Sequence, residues 1–312
     1  MKDYAFGIDI GGTTVKIGFF ETSGTLVKSW EIPTRTEENG KYILSDIAAA
    51  IDQEISGRGL SKNDIEGIGI DVPGPVLEDR IVNRCANLGW GILDVAEEMT
   101  KLTGIEKIGV ANDANAATLG EMWQGGGKGY SNMVAVTLGT GVGGGIIVNG
   151  KILTGATGAG GEIGHIHLED NETESCGCKK KGCLEQYASA TGIVRLANRR
   201  LAKDDAPSAL RGGEVSAKTV FDAVKAGDAV AIEIAEQFGD YLGKGLAAVA
   251  AVVNPEVFVI GGGVSKAGEI LLSYVKPAFA KYVFYPCGKA EFKLATLGND
   301  AGIFGAAALI LK

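Results

Sequence analysis

Three of the five cysteines of this chain, Cys176, Cys178 and Cys183, follow the spacing Cys-x-Cys-x4-Cys, and His165 lies a short way before them. Three thiolates and one imidazole are the ligands of a closed tetrahedral zinc site, which leaves no position for a catalytic water. Cysteines this sparse do not form a disulfide scaffold. The pattern therefore predicts a structural zinc site, for which His167 is the alternative fourth ligand.

Turns rich in glycine and threonine occur at two places that are predicted to join strands. Asp9 precedes the first, Gly11-Gly12-Thr13-Thr14, and the second is TLGTGVGGG at residues 137–145. Backbone N–H groups of such turns can face an anion, and Asp9 can hold the magnesium that accompanies a nucleotide. The second turn matches G-x-G-x-x-G, but a strand follows it, which excludes the dinucleotide fingerprint. Either turn alone also fits an ordinary hairpin, whereas the pair favours a triphosphate held from both sides.

Two further segments lie where a predicted strand ends and a helix begins. Gly261-Gly262-Gly263 offers a surface without side chains on which adenine and ribose could lie, or it is only a tight turn. Asn112 and Asp113 are residue types that favour the N-cap of a helix. A carboxylate at the end of a strand can also take a proton from a substrate hydroxyl, so Asp113 is a candidate general base.

Composition and charge exclude several classes of protein. The chain has 312 residues, 46% of them hydrophobic, with a formal net charge of −8. A chain of this length folds into about two domains, and its negative charge disfavours nucleic acid as a partner. No segment resembles a signal peptide, and the longest apolar stretch, residues 246–253, is too short to span a bilayer. We therefore expect a soluble, cytoplasmic protein with no membrane partner.

Strands and helices read from the sequence follow the order βββαβαβα, and the same order recurs in the second part of the chain. The repeat predicts an α/β protein with two domains of like topology, facing each other across a cleft and sharing one site. The predicted N-terminal domain is 1–114 and the C-terminal domain is 115–299. A helix at about 300–312 is expected to pack back on the first domain. An insertion at about 154–225 carries the cysteine cluster.

These motifs, in this order, resemble the ROK family of sugar kinases and repressors, within the hexokinase–actin ATPase superfamily. The family's pattern is matched at Glu162-x-Gly-His165 and at Cys176-x-Cys178-x4-Cys183-x-Glu185. Lys179 departs from the glycine that is usual after the second cysteine. Pro73-Gly74-Pro75-Val76 resembles the family's first sugar-side loop, and Asn87-Leu88-Gly89-Trp90 resembles the version found in its bacterial glucokinases. The likeness covers nearly the whole chain.

The resemblance implies two ribonuclease H-like domains of the actin-like ATPase type and ATP-dependent phosphorylation of the 6-hydroxyl of glucose, with Asp113 as general base. Alternative hexoses are N-acetylmannosamine, N-acetylglucosamine and fructose. Residues expected to hold the hexose are Gly74, Asn87, Asn112, Asp113, Glu162, His165 and Glu185. Residues expected to hold Mg-ATP are Asp9, Gly11, Gly12, Thr13, Thr14, Thr140, Gly141, Gly261, Gly262 and Gly263. The structural zinc ligands would be His165, Cys176, Cys178 and Cys183.

Three rival functions are disfavoured by particular residues. A repressor of the family carries a DNA-binding helix-turn-helix before the kinase-like fold, for which a first strand starting at Tyr4 leaves no room. A zinc hydrolase needs an open metal position, which three cysteines and a histidine do not leave. A sugar sensor without turnover, the third rival, does not need Asp9 and Asp113. We also expect a homodimer or a higher homo-oligomer, as is common in the family.

The resemblance further implies that the metal organises the hexose pocket. A metal on one ring nitrogen of His165 fixes the tautomer, so that the other nitrogen donates to a sugar hydroxyl. Removal of zinc should then loosen His165 and Glu185 and weaken hexose binding. ATP binding should change much less, because the turns expected to hold ATP lie outside the insertion.

Overall fold

Both predicted series of strands and helices are present in the structure, a computed structural model that describes residues 2–312. The first of its two units contains the residues up to Gly129, Ile152–Gly160 and Leu297–Lys312, and the second contains Tyr130–Lys151 and Gly161–Thr296. Each unit has one five-stranded sheet. The predicted class, an α/β protein with two sheet-containing domains, is confirmed.

The first unit contains most of the early elements of the chain. Its strands are β1 Tyr4–Ile10, β2 Thr14–Glu21, β3 Leu26–Pro33, β4 Ile65–Val72, β5 Val76–Leu77, β6 Ile81–Cys85, β7 Trp90–Asp94 and β8 Ile108–Asn112. Its helices are α1 Glu37–Gly40, α2 Ile43–Gly57, α3 Val95–Thr103 and α4 Asp113–Gln124. β8 is the last strand of the series predicted for this part of the chain, and it ends at Asn112. The small sheet of β5, β6 and β7 has no counterpart in the prediction, because its strands are short and partly polar.

The main sheet of this unit has the strand order β3-β2-β1-β4-β8. β1 pairs antiparallel with β2 and parallel with β4, and β4 pairs parallel with β8. Nearly every residue of β4 is buried, as expected for a parallel strand covered on both faces. The carboxyl ends of β1, β4 and β8 therefore lie side by side at one edge of the sheet.

One face of this sheet is covered by α10, Ala301–Leu311, which comes from far along the chain. The helix approaches so closely that a Cβ on Gly69 of β4 would lie 1.7 Å from the carbonyl oxygen of Ala306. A Cβ on Gly305 would lie 1.6 Å from the carbonyl oxygen of Ala116 in α4. Only glycine fits at these two positions, since real side chains do not approach backbone oxygen that closely.

α4 packs within the first unit, which differs from the predicted boundary at residue 114. Phe20 of β2 and Trp123 of α4 share a buried cluster with Ile303 and Ala307 of α10. The first unit consequently extends to Gly129, beyond the predicted end of the N-terminal domain.

The second unit is built around the long helix α8. Its strands are β9 Met133–Leu138, β10 Val142–Val148, β11 Lys151–Ile152, β12 Val257–Gly261 and β13 Glu291–Leu294, in the order β11-β10-β9-β12-β13. Its helices are α5 Glu185–Ala188, α6 Ala190–Leu201, α7 Ala217–Lys225, α8 Ala229–Val253 and α9 Glu269–Tyr282. Strands β9 and β12 pair in parallel, so their carboxyl ends are neighbours.

Helices of the insertion share the core of the second unit. Tyr187, Leu196 and Phe221 are buried in one cluster with Phe238 and Leu246 of α8. The insertion thus adds to the existing core through α5, α6 and α7, which the sequence did not reveal. Within the described part of the chain, no helix combines the length and apolar character needed to cross a bilayer.

We predict that Gly305→Ala destabilises the first unit by about 3 kcal/mol, because the added methyl group overpacks the contact between α10 and α4. Gly57→Ala is a suitable control, because Gly57 ends α2 with no atom within 4 Å of the added carbon. The control should raise stability by up to about 1 kcal/mol. Urea unfolding can be followed by tryptophan fluorescence, since all 3 tryptophans, Trp30, Trp90 and Trp123, belong to the first unit. An unchanged midpoint for Gly305→Ala would contradict the packing described here.

Candidate functional site

Carboxylates collect at the edge of the first sheet where its parallel strands end. Asp9 of β1 is the register partner of Asp71 of β4, and Val72 is the partner of Asn112 in β8. Asp113 follows Asn112 directly and starts α4. Two of the predicted site residues, Asp9 and Asp113, are thus held at the ends of strands in the same sheet.

Burial decides the electrostatics of this edge. Asp71 is completely buried, which raises its pKa well above the ordinary value, and the charges of Asp9 and Asp113 raise it further. Loss of hydration also raises the pKa of Asp9. Loss of hydration likewise raises the pKa of Asp113, and the hydrogen bond from the N–H of Ala114 lowers it in part. The side chain of Asp113 is nevertheless accessible to solvent. A carboxylate with a raised pKa is a better proton acceptor than an ordinary aspartate.

The sequence left open whether Asn112 or Asp113 is the N-cap of α4, and in the structure it is Asn112. Its side-chain oxygen accepts from the N–H groups of Ala114 at 3.0 Å and Asn115 at 3.3 Å. Its side-chain nitrogen donates to the carbonyl of Gly74 at 3.3 Å. The structure therefore joins two of the predicted hexose-side residues, and the capping role of Asn112 leaves the accessible carboxylate of Asp113 at the first position of α4.

Asn87 lies in a turn anchored by its neighbours. Leu88 and Trp90 are buried, and the indole N–H of Trp90 donates to the carbonyl of Gly40 at 3.2 Å. The Asn87 side chain itself is exposed. The turn thus presents an amide to solvent from a fixed backbone.

The first glycine and threonine turn is closed by its own backbone. The N–H of Gly11 donates to the carbonyl of Thr14 at 3.0 Å, and the Thr34 hydroxyl donates to the carbonyl of Gly11 at 2.7 Å. Gly12, Thr13 and Thr14 are exposed. The turn is therefore rigid and open to solvent, as a phosphate-binding turn must be.

Both predicted nucleotide turns of the second unit lie at the ends of neighbouring strands. Thr140 and Gly141 follow β9, and Gly261, Gly262 and Gly263 end β12 and begin the turn after it. Gly262 has a φ of +84°, and a Cβ there would lie 2.5 Å from the carbonyl oxygen of Leu138. Glycine is therefore required where the β12 turn touches the end of β9.

The four predicted zinc ligands come together in the second unit. The ligand atoms of His165, Cys176, Cys178 and Cys183 all lie within 4.8 Å of one another. Cys178 Sγ lies 3.6 Å from Cys183 Sγ, and Cys176 Sγ lies 3.8 Å from His165 Nδ1. Sulfur atoms around tetrahedral zinc are about 3.8 Å apart when each Zn–S bond is about 2.3 Å. These two separations are close to that value, so the donor set and its spacing fit one zinc ion.

The structure also separates the two histidines. His167 has Nδ1 at 2.9 Å from the Lys181 carbonyl and Nε2 at 2.8 Å from Asp170. The Asp170 carboxylate, followed by the Lys181 carbonyl, raises the pKa of His167. Because both ring nitrogens already face oxygen acceptors, His167 has no nitrogen free for a metal.

Glu162 and Glu185 lie on either side of this cluster in the chain. Glu162 is exposed and precedes the short helix Ile163–His165, whose Gly164 would place a Cβ 2.2 Å from the Val142 carbonyl oxygen. Glu185 begins α5, and its Oε1 lies 2.7 Å from Cys176 Sγ. Glycine at position 164 is what allows the Glu162-x-Gly-His165 segment to lie against β10.

The model of the ROK family matches residues 5–312. The chain belongs to the ROK family. This confirms the resemblance drawn from the motifs. A glucokinase of Halalkalibacterium halodurans is 46% identical over 97% of this chain and 94% of its own length. A glucokinase of Thermotoga maritima is 37% identical over 97% and 96%. A solved structure of a ROK family glucokinase from Streptomyces griseus, in complex with glucose and AMPPNP, is 32% identical, with a TM-score of 0.73 and coverage of 98% and 99%.

Asp71 lies beside Asp9 at the strand ends but is not among the site residues predicted from the sequence. A signal for it exists, since an aspartate interrupts the apolar run of β4 just before Pro73. An ionisable side chain at a fully buried strand position is costly unless it interacts with other polar groups. Its neighbours Asp9 and Asp113 became apparent only from the parallel register.

We predict that His165→Ala loses its bound metal and that His167→Ala retains about one zinc ion per chain. The first removes one ligand of four, whereas the second removes a histidine held by oxygen atoms. Zinc content after dialysis, measured by elemental analysis, checks both variants. Metal loss in His167→Ala alone would show that the wrong histidine had been chosen.

Proposed function

We propose that this chain is an ATP-dependent hexose kinase that transfers the γ-phosphoryl group of ATP to the 6-hydroxyl of glucose. The position of Asp113 carries the proposal. Its accessible carboxylate has a raised pKa and lies at the end of β8, beside the Asn112 contact with Gly74. The glucokinases among the relatives support glucose as the hexose.

The hexose side combines amides, carboxylates and an imidazole. The residues assigned to the hexose are Gly74, Asn87, Asn112, Glu162, His165 and Glu185. Sugar hydroxyls are recognised by a small number of such polar groups placed at fixed positions. If His165 held zinc through Nδ1, its Nε2 would keep a proton and could donate to a sugar hydroxyl.

Proton transfer is the step assigned to Asp113. Its carboxylate accepts the proton of the 6-hydroxyl as that oxygen bonds to the γ-phosphorus, and the bond from the γ-phosphorus to the β-phosphate oxygen breaks. Hexose 6-phosphate and ADP are the products, and the proton later leaves Asp113 for solvent. Phosphoryl transfer depends mainly on positioning and charge stabilisation, which the polar groups around the reacting oxygens provide.

Nucleotide binding is assigned to the glycine and threonine turns. Gly11, Gly12, Thr13 and Thr14 would offer N–H and hydroxyl donors, as would Thr140 and Gly141. Adenine and ribose would lie along Gly261, Gly262 and Gly263. Asp9 is a carboxylate that could hold magnesium, which would neutralise part of the phosphate charge.

Zinc in the cysteine and histidine cluster is proposed to be structural. Four protein ligands fill a tetrahedral site, so no position remains at which zinc could activate water. A kinase for another hexose is the alternative function, and a sugar-binding regulator of the same family is the less favoured one. A cytoplasmic location and a homo-oligomeric state remain predictions.

The function is tested by ADP release from the purified protein with a panel of hexoses. We expect glucose to give the highest kcat/KM and 6-deoxyglucose to bind without any turnover, because it lacks the acceptor hydroxyl. N-acetylmannosamine, N-acetylglucosamine and fructose complete the panel. A higher kcat/KM for any of these three would replace glucose as the substrate, and no turnover of any hexose would refute the kinase.

We predict that Asp113→Asn lowers kcat by about 10²- to 10⁴-fold, the usual cost of losing a general base. Asparagine keeps the size and a hydrogen-bonding oxygen, so glucose affinity should remain within a few fold. Glucose binding by calorimetry and steady-state kcat separate the two effects. Asp170→Asn, which changes an exposed carboxylate elsewhere, serves as the matched control. A variant at position 113 with more than a third of the wild-type kcat would refute the assignment.

A further inference from the structure

The segment of residues 185–191, formed by α5 and the start of α6, is held rigidly. The Ser189 hydroxyl donates to the carbonyl of Glu185 at 2.6 Å and accepts from the N–H of Gly192 at 2.9 Å. Ser189 is therefore the N-cap of α6 and also closes α5. Because of these bonds, a displacement of Glu185 also displaces the start of α6.

One side of this segment contacts the metal cluster. Glu185 Oε1 lies 2.7 Å from Cys176 Sγ and 3.8 Å from His165 Nδ1. The side-chain oxygen of Gln186 accepts from the N–H of Cys183 at 3.1 Å. The first two residues of this segment therefore contact the proposed zinc ligands directly.

The other side contacts the turn at residues 139–141. The N–H of Ala190 donates to the carbonyl of Gly139 at 2.8 Å, and the Thr191 hydroxyl donates to the carbonyl of Thr140 at 2.7 Å. A Cβ on Gly141 would lie only 2.6 Å from Glu185 Oε2. All three residues of the turn proposed to bind phosphate, 139–141, therefore lie against the segment of residues 185–191.

We infer that residues 185–191 position the phosphate-binding turn from the metal cluster, so that the metal supports nucleotide binding as well as hexose binding. The inference rests on the proposed function, because it takes Glu185 as a hexose ligand and residues 140 and 141 as nucleotide ligands. It differs from the sequence-based expectation that removal of zinc changes ATP binding much less than hexose binding. The turn does lie outside the insertion in sequence, but hydrogen bonds join the two in space.

Coupling between the two substrates follows from this arrangement. A hexose that orders Glu185 also orders the turn on which Gly141 lies, so hexose should strengthen nucleotide binding. Binding equilibria are reciprocal, so the nucleotide should strengthen hexose binding by the same factor. Glu185, Ser189 and Thr191 are therefore positioning residues for the turn, in addition to the hexose contact proposed for Glu185.

Thr191→Val in the zinc-loaded protein tests the link without disturbing the metal. Valine keeps the shape of threonine but cannot donate to Thr140, so the dissociation constant for AMP-PNP should rise about three- to tenfold. Zinc content should stay at the wild-type value, and the dissociation constant for glucose should change less than twofold. Thr173→Val, at an exposed threonine of the loop before the cysteines, is the control and should leave AMP-PNP binding unchanged. An AMP-PNP constant within twofold of wild type for Thr191→Val would overturn the inference.

Gly141→Ala tests the same link from the nucleotide side. The added methyl group displaces the Glu185 carboxylate, so glucose binding should weaken at least threefold even though residue 141 lies in the phosphate-binding turn. Gly139→Ala, two positions earlier, adds the same group where no atom lies within 4 Å, and should leave the dissociation constant for glucose within twofold. Equal glucose affinity in the two variants would contradict the contact.

Metal removal completes the experiment. Chelated protein that keeps its far-ultraviolet circular dichroism should bind both glucose and AMP-PNP at least about fivefold more weakly, and zinc should restore both. Loss confined to glucose would overturn the inference, and if chelation unfolds the protein, Thr191→Val decides the question. A zinc-loaded wild type that binds neither ligand would refute the proposed function itself, which distinguishes the two failures.

Discussion

Parallel pairing of β1, β4 and β8 is the constraint on which the proposed chemistry of the first unit depends. Parallel strands end at the same edge of a sheet, so their register alone places Asp9 beside Asp71 and brings Asn112, the partner of Val72, to the same edge one position further along. Carboxylates placed there repel one another and lose hydration, which is unfavourable for folding. The pairing is held by the buried apolar side chains of these strands and by α10, which covers one face of the sheet.

Much of this arrangement could be predicted from residue patterns. Alternating and apolar runs predicted the order of the main strands and helices in both units, although they missed the small sheet of β5, β6 and β7. The spacing of Cys176, Cys178 and Cys183 predicted a cluster that the structure brings together with His165. These features are local, in that each depends on residues close together in the chain. The family assignment followed from the same motifs and is confirmed over residues 5–312.

Other features could not be predicted, because they depend on residues distant in sequence. α4 belongs to the first unit because it packs against α10. That helix begins almost 180 residues after α4 ends. The burial of Asp71 depends on strands on both sides of it. Contacts between residues 185–191 and the turn after β9 join segments separated by the whole zinc loop. Single-sequence periodicity carries no information on any of these pairings.

The position of α10 in the chain has a consequence for biosynthesis. Its residues fill the first unit, yet they are translated only after the entire second unit. Ribosomes add roughly 5–20 residues per second, so the face of β1 and β4 that α10 covers stays open for roughly 10–35 s after α4 is made. During that interval the face of the sheet on which Gly7 and Gly69 lie is not yet covered by α10. The first unit, although most of it is translated first, can therefore be completed only when the whole described chain has been made.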